Sequence, residues 1–383
     1  MGARLLDLRP SRALPGLKRL PGVDVLRGLC VLAVVLLHIN LRLHFEKSSL
    51  GSAIPKPLYR LIFWSGHDAV KIFFVVSGFL ITSTILARWG TLPQIDLKAF
   101  YRLRAARIAP LLLAILAILS ILHLSGATGF VINPKRASLP RALFAALTFH
   151  VNWLEPRVGY LPGAWDVMWS LSVEEVFYLA YPLLCRFCFR RKWIPFALLA
   201  LLMIAGPLFR TVLAINDTDS DYAYLANMDG IALGCLAAVV ARVRPRSGVQ
   251  WLGAGLILAI RIAPLGLYRW GLDITVLEIG AALILLGMRV NSAPAVWAGP
   301  LRWFGRNSYE VYLTHMFVVT LGTQFFISSH APIDSAWFWM AGMVLLAGLL
   351  GQAVSRYYSE PLNRRFRPAA RTEVLSQRTA LAQ

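Results

Sequence analysis

Arg27 and His38 stand eleven residues apart in the apolar stretch 21–42, PGVDVLRGLCVLAVVLLHINLR. On a helix, eleven steps of about 100° come to roughly 1100°, three turns plus about 20°, so both side chains share one face about 16 Å apart along the axis. An ionisable group inside a membrane span costs on the order of 2.5 to 3.5 kcal/mol on insertion scales, so two on one stripe mark a polar interior lane rather than lipid contact. Arg27, near the start of the run, has the alternative of snorkelling to the headgroups. An imidazole, with an ordinary pKa of about 6.5, suits general-base work at neutral pH, which makes His38 the candidate for proton transfer.

Four more sets of residues could join that chemistry. Glu174 and Glu175 are adjacent in WSLSVEEVFY (169–178); neighbours on a helix point about 100° apart, so at most one faces the lane of His38, and a structural ion pair is the alternative. Arg104 and Arg107, three apart in FYRLRAAR (100–107), lie side by side on a helix face. Two guanidinium forks suit phosphate, and setting topology or touching anionic lipid is their plainer use. Ser77-Gly78 sits in KIFFVVSGFLI (71–81), where a residue without Cβ lets a ligand approach, or simply another helix. Asp68, after His67, opens that run. Asp229, Glu278, Glu310 and His315 are further ionisable residues in apolar runs and are assigned to interior packing or pairing. Cys30, Cys185, Cys188 and Cys235 lie in or at the ends of apolar runs and act as small hydrophobes. The Cys185-x-x-Cys188 pair has no second half-site, so no metal is expected.

Membrane helices must position these groups. Across 383 residues, 57% are hydrophobic and only 15% charged, with a mean hydropathy of +0.61; the chain is an all-α polytopic bundle. The net charge of +20 would suggest nucleic acid in a soluble protein, but the basic residues fall in short segments between apolar runs, as the positive-inside rule expects. Nucleic-acid binding is therefore rejected.

Charge also sets the topology. Residues 1–20 carry Arg4, Arg9, Arg12, Lys18 and Arg19 without an apolar h-region, so they are expected to form a cytoplasmic tail rather than a signal peptide. Spans follow at about 21–42, 68–87 and 105–125, with Arg88, Lys98, Arg102, Arg104 and Arg107 in the cytoplasmic loop between the last two. The run 143–154 is about a dozen residues, short of the roughly twenty needed to cross. Treating it as re-entrant or interfacial lets 169–187 deliver Arg186, Arg190, Arg191 and Lys192 to the cytoplasm. Further spans fall at 195–213, 224–241, 251–268, 274–288, 308–327 and 337–357, with Arg242, Arg244, Arg246, Arg289, Arg302, Arg306, Arg364, Arg365, Arg367 and Arg371 inside. Ten crossings result, with both termini cytoplasmic. A membrane domain over 21–358 lies between the basic tail 1–20 and a C-terminal tail 359–383.

Taken together, Arg27 and His38, FFVVSGFLI (73–81), Arg104-x-x-Arg107, WSLSVEEVFYLAYP (169–182), His315 in VYLTH and Glu360-Pro361 resemble the acyltransferase-3 family of integral membrane acyltransferases. The likeness runs from about Pro21 to Phe366, and the ordered set is far more specific than any one motif. It implies transfer of an acyl group, by family habit acetyl, from a CoA thioester to a hydroxyl of a polysaccharide, lipopolysaccharide or antibiotic sugar. By position it implicates Arg27 and His38 as essential, Arg104 and Arg107 in donor binding and Glu174 as the motif acid. Lys71 departs from an acidic residue common before the FF pair, with Asp68 one turn earlier, which puts acceptor choice in doubt. Some members carry an extra extracytoplasmic hydrolase-like domain. With about two dozen residues after Tyr358 none is expected here, so the membrane domain is expected to act on the acceptor.

The expected activity is that of a bacterial plasma-membrane O-acyltransferase using cytosolic acetyl-CoA, with a cell-envelope glycan as acceptor and His38 as general base. Glu174 would orient His38, and Arg27 would hold donor phosphate or stabilise charge in the pathway. Ser77 and Gly78 join the donor site, and Asp68 and Glu175 the acceptor site. A small exported molecule such as a macrolide sugar is the rival acceptor. A transporter or flippase is the rival class, although no duplicated halves are visible.

Overall fold

The computed structural model describes residues 20–191, 193–243, 248–262, 266–288 and 296–366, and the elements among them are helices. Lys192, Arg244, Arg246, Arg289, Arg367, Arg371 and the basic residues of 1–19 lie outside the described residues.

α1 (Pro21–Leu43) begins with a proline in its first turn, where a missing N–H costs nothing. Short α2 (Ser49–Ala53) and α3 (Lys56–Phe63) lead to α4 (Gly66–Trp89). Gly90, at φ 79°, ends that helix, and Asp96 starts α5 (Leu97–Leu124) by accepting from the Ala99 amide at 3.0 Å. The basic segment expected as a loop is thus largely helix: Arg88 is in the last turn of α4, and Arg102, Arg104 and Arg107 are in the first turns of α5. Pro110 lies within α5, which continues through it.

The run expected not to cross forms two short helices, α6 (Leu139–Leu147) and α7 (Val151–Val158), of nine and eight residues. At about 1.5 Å per residue neither reaches half of a bilayer's ~30 Å core. α8 (Gly163–Asp166) precedes α9 (Met168–Leu183). Next come α10 (Ile194–Leu208), α11 (Asp217–Tyr222), α12 (Leu225–Val243), α13 (Val249–Ile262) and α14 (Leu272–Gly287). The described chain closes with α15 (Gly299–Arg306), α16 (Ser308–Ser328), α17 (Ala336–Val354) and α18 (Glu360–Phe366). Single π turns extend α9, α10 and α17.

Among the described residues, seven helices are long and apolar enough to cross a membrane: 21–43, 66–89, 97–124, 194–213, 217–241, 308–328 and 333–366. The three other expected crossings fall on further apolar helices: α9 with its π turn, α13 and α14. α13 and α14 have only 14 and 16 residues. α9 with its π turn carries Glu174, Glu175 and Arg186 within the stretch expected to span. The polytopic all-α bundle stands.

α1 and α4 pack on each other and tie two groups of helices together. α15, α16 and α17 gather on α1; α12 and α14 gather on α4, with α10 beyond them. Glycines permit the two closest crossings. A Cβ on Gly78 would lie 2.0 Å from the Ile231 carbonyl oxygen, and one on Gly234 would lie 1.9 Å from that of Val75, so α4 and α12 meet backbone to backbone. Gly28 and Gly305 do the same for α1 and α15. With both faces covered, 72% of the apolar window of α4 is buried, against 11% for 194–213 at the periphery.

Candidate active site

A cavity of about 610 Å³ opens where α1 starts and α4 finishes, between α1, α4, α5, α9 and α16. Its wall carries five arginines, Arg27, Arg88, Arg104, Arg107 and Arg306, and two carboxylates, Asp24 and Glu174. Deeper in, the lining turns apolar and aromatic, with Phe73, Phe74 and Leu171, and it reaches Ser170 and Tyr312. The Tyr312 hydroxyl and Ser170 Oγ are hydrogen-bonded at 2.7 Å, and Phe73 stands edge-on to Tyr312. This pair closes the deep end.

His38 lies behind that closure, off the cavity wall. Its neighbour is His315 of α16, with ring centroids 5.0 Å apart and His315 Nε2 3.3 Å from His38 Nδ1. Tyr312 is 5.9 Å from the His315 ring, so one aromatic layer separates cavity from histidines. On the other side Arg42 donates to the His38 carbonyl at 3.0 Å. Gly163 of α8 sits so near that a Cβ there would lie 2.7 Å from Arg42 Nη2 and 2.5 Å from Met316. α8 thus covers this end of the bundle.

Of the expected residues, Arg27, Ser77, Arg104, Arg107 and Glu174 line the cavity. Arg27 is half-buried, with Arg107, Asp24, Glu310 and Glu174 as its electrostatic neighbours. Arg104 is already engaged. Its Nε donates to both Glu175 oxygens at 3.1 and 3.3 Å, its Nη2 also bonds Glu175, and its guanidinium stacks 3.5 Å over the Tyr178 ring. Glu174 stays 3.8 Å from the same nitrogen. No hydrogen bond or ion pair engages Arg107 or Arg306 among the described residues.

Several of the expected residues are held by partners within the bundle. Glu175, expected at the acceptor site, is a buried counter-ion of Arg104. Arg104 and Arg107 are not two equal forks, because one is held by a carboxylate. Gly78 belongs to a helix crossing and is off the cavity wall, whereas Ser77 is on it, hydrogen-bonded to Tyr178. Asp68 pairs with Arg261 of α13 at 2.9 Å. Lys71 is fully buried, donating to the Asp221 carbonyl at 2.7 Å and to Asn227 at 2.6 Å, so both unusual charges at the head of α4 hold helices together. Glu174 does not orient His38. His315, assigned to packing, is the group that touches it. Its signals were an ionisable residue in an apolar run and the VYLTH motif of the resemblance, 277 residues from His38. Arg88 and Arg306 read only as topology charges.

A family model described as an acyltransferase domain matches residues 20–351 of this chain. The chain belongs to the acyltransferase-3 family. This chain is 28% identical over 346 residues to the peptidoglycan O-acetyltransferase OatA of Listeria monocytogenes, covering 80% of this chain and 50% of that protein. It is 22% identical over 381 residues to the O-acetyltransferase OatA of Staphylococcus aureus, covering 90% and 57%. With the putative peptidoglycan O-acetyltransferase YrhL of Bacillus subtilis it shares 25% over 345 residues, 79% of this chain and 49% of the other. The chain thus spans about half the length of these relatives. No solved structure matches it.

Proposed function

We propose that this acyltransferase is a bacterial plasma-membrane O-acetyltransferase that moves acetyl from cytosolic acetyl-CoA to a hydroxyl of a cell-wall glycan, with His38 as general base. The carrying observation is the arginine-walled cavity that ends one aromatic layer short of the two histidines. Its volume falls within the range of about 300 to 1,000 Å³ usual for ligand sites. The names of the relatives favour a peptidoglycan acceptor.

Arg107 and Arg306, both exposed at the mouth, suit the donor's phosphates, with Arg88 and Arg27 adding to the positive field. The apolar interior suits an extended acyl-bearing arm directed at Tyr312. In the transfer step His38 takes the proton of the acceptor hydroxyl as its oxygen attacks the thioester carbonyl. The new C–O bond forms, the C–S bond breaks, and the imidazolium returns the proton to the departing thiolate, leaving an ester and a free thiol. A cytosolic donor at the basic end and an acceptor arriving at the α8 end would meet at His38.

Purified protein in nanodiscs is assayed for acetyl-CoA binding and for acetyl transfer to peptidoglycan fragments. Arg107→Ala/Arg306→Ala should weaken donor binding at least about tenfold, as expected for two lost charge-assisted contacts. His38→Ala should bind donor normally and lose turnover by about 10²-fold or more. Normal turnover in His38→Ala, or normal donor binding in the double arginine variant, refutes the corresponding half of the reading.

A further inference from the structure

We propose that His315 is a positioning residue for His38, its bare Nε2 accepting the His38 Nδ1–H so that His38 is held in the one tautomer whose Nε2 can act as a base. The inference rests on the reading of His38 as the base.

The argument starts from backbone carbonyls, which only accept hydrogen bonds. His315 Nδ1 lies 2.7 Å from the Tyr312 carbonyl oxygen and 3.2 Å from that of Val311. That nitrogen must therefore carry a proton, and in the neutral ring Nε2 is then a bare acceptor. His38 Nδ1 lies 2.9 Å from the Val34 carbonyl oxygen and 3.3 Å from His315 Nε2. Two acceptors facing one nitrogen fix a proton there as well, shared between them. The hydrogen of His38 is thus committed to Nδ1, and its Nε2 keeps the lone pair that accepts a proton.

His315 is fully buried and packs within α16 against α1. Helical turns hold both rings to their own carbonyls, so neither can flip without losing a buried bond. When His38 Nε2 takes the acceptor's proton, its Nδ1–H becomes a charged donor and the bond to His315 strengthens. His315 thus adds stabilisation as charge develops, without touching the substrate. The arrangement is analogous to a hydrolase triad, where a third group orients the base, with an imidazole nitrogen replacing the carboxylate.

The test uses the full chain in nanodiscs, with acetyl-CoA and peptidoglycan fragments, and compares His315→Phe, His315→Gln and His38→Ala. Phe keeps the ring volume and removes the acceptor, whereas Gln can place an amide oxygen near the lost Nε2. Both His315 variants should bind acetyl-CoA as the parent does. His315→Phe should lose about tenfold or more in kcat with donor KM within about twofold, since an orienting partner supports turnover rather than binding. His315→Gln should recover most of that kcat. If His315→Phe fails to bind donor, His315→Leu takes its place as the acceptor-free variant. Parent-like kcat in the acceptor-free variant, or equal losses there and in His315→Gln, overturns the positioning role while leaving His38 as base. Parent-like turnover in His38→Ala overturns the reading beneath it and the proposal with it.

Discussion

At the scale of single residues, the two arginines of one motif do different work because their surroundings differ. Arg104 is 20% and Glu175 7% exposed at the side chain, and the guanidinium is clamped by that carboxylate and by the Tyr178 ring. Replacing it leaves a carboxylate in the bundle without its partner. Arg104→Ala should therefore lower the stability of the folded protein by about 3 kcal/mol, the low end of the cost of breaking a buried pair, read as a drop in thermal midpoint. Arg107, exposed and without a hydrogen bond or ion pair among the described residues, should leave the midpoint unchanged on conversion to alanine and raise the donor KM instead. Equal midpoint losses in both variants would contradict the division. The helix face was legible: residues three apart line one side of α5. Glu175 as partner was not, since that contact depends on how α9 is rotated toward α5.

At the scale of elements, α7 and α8 form a cover whose strength should depend on pH. Glu155 of α7 is fully buried, accepts from the Leu161 amide at 3.0 Å, and faces Asp166 of α8, to which Tyr222 donates at 3.0 Å. Two carboxylates can bond each other only if one holds a proton. Burial pushes the Glu155 carboxyl well above its ordinary value of 4.5, with Asp166 adding to the effect, and burial also raises Asp166 although Tyr222 and Arg42 oppose it. The folded state thus keeps a proton that the unfolded chain gives up near the ordinary carboxyl values. Stability from this pair is full in acid and declines as pH rises from that range through the raised folded value. The thermal midpoint should fall as pH rises above the ordinary carboxyl range, at up to about 1.4 kcal/mol per pH unit while the pair retains its proton. Glu155→Gln can keep the Leu161 bond and offer an N–H to Asp166, and should flatten that slope. An unchanged slope would remove the pair from the cover's pH response. That 143–154 is too short to cross was plain from its length; the break between α6 and α7 and the carboxyl pair beyond it come from the fold.

At the scale of the whole molecule, the arginine-walled cavity and the histidine pair lie on the α1, α5, α9 and α16 side, and the α12 and α14 side braces it through buried polar contacts. Arg210, 4% exposed, bonds Asp229 at 2.9 Å, the Gly271 carbonyl at 2.9 Å and the Ala226 carbonyl at 2.5 Å, while Thr275 donates to Asp229 at 3.0 Å. This joins the end of α10 to α12 and α14. Asp229→Ala should cost about 3 to 5 kcal/mol by stranding Arg210, and Arg210→Met/Asp229→Leu should recover much of it. Denaturation in nanodiscs followed by tryptophan fluorescence would measure both, and a double variant no better than the single would contradict the account.

What the sequence determined by itself is what local periodicity and composition can carry: the helical membrane class, the shared face of Arg27 and His38, and the arginines at one end of the bundle. A repeat of 3.6 residues assigns faces within a helix, because it depends only on neighbours along the chain. It does not say what each face meets. Helix rotation and crossing hydrogen-bonded Glu175 to Arg104 and left Glu174 3.8 Å from it, pressed Gly78 against α12, and brought His315 to His38 from 277 residues away. Those outcomes are set by packing among non-neighbouring helices, so only the tertiary structure decided them.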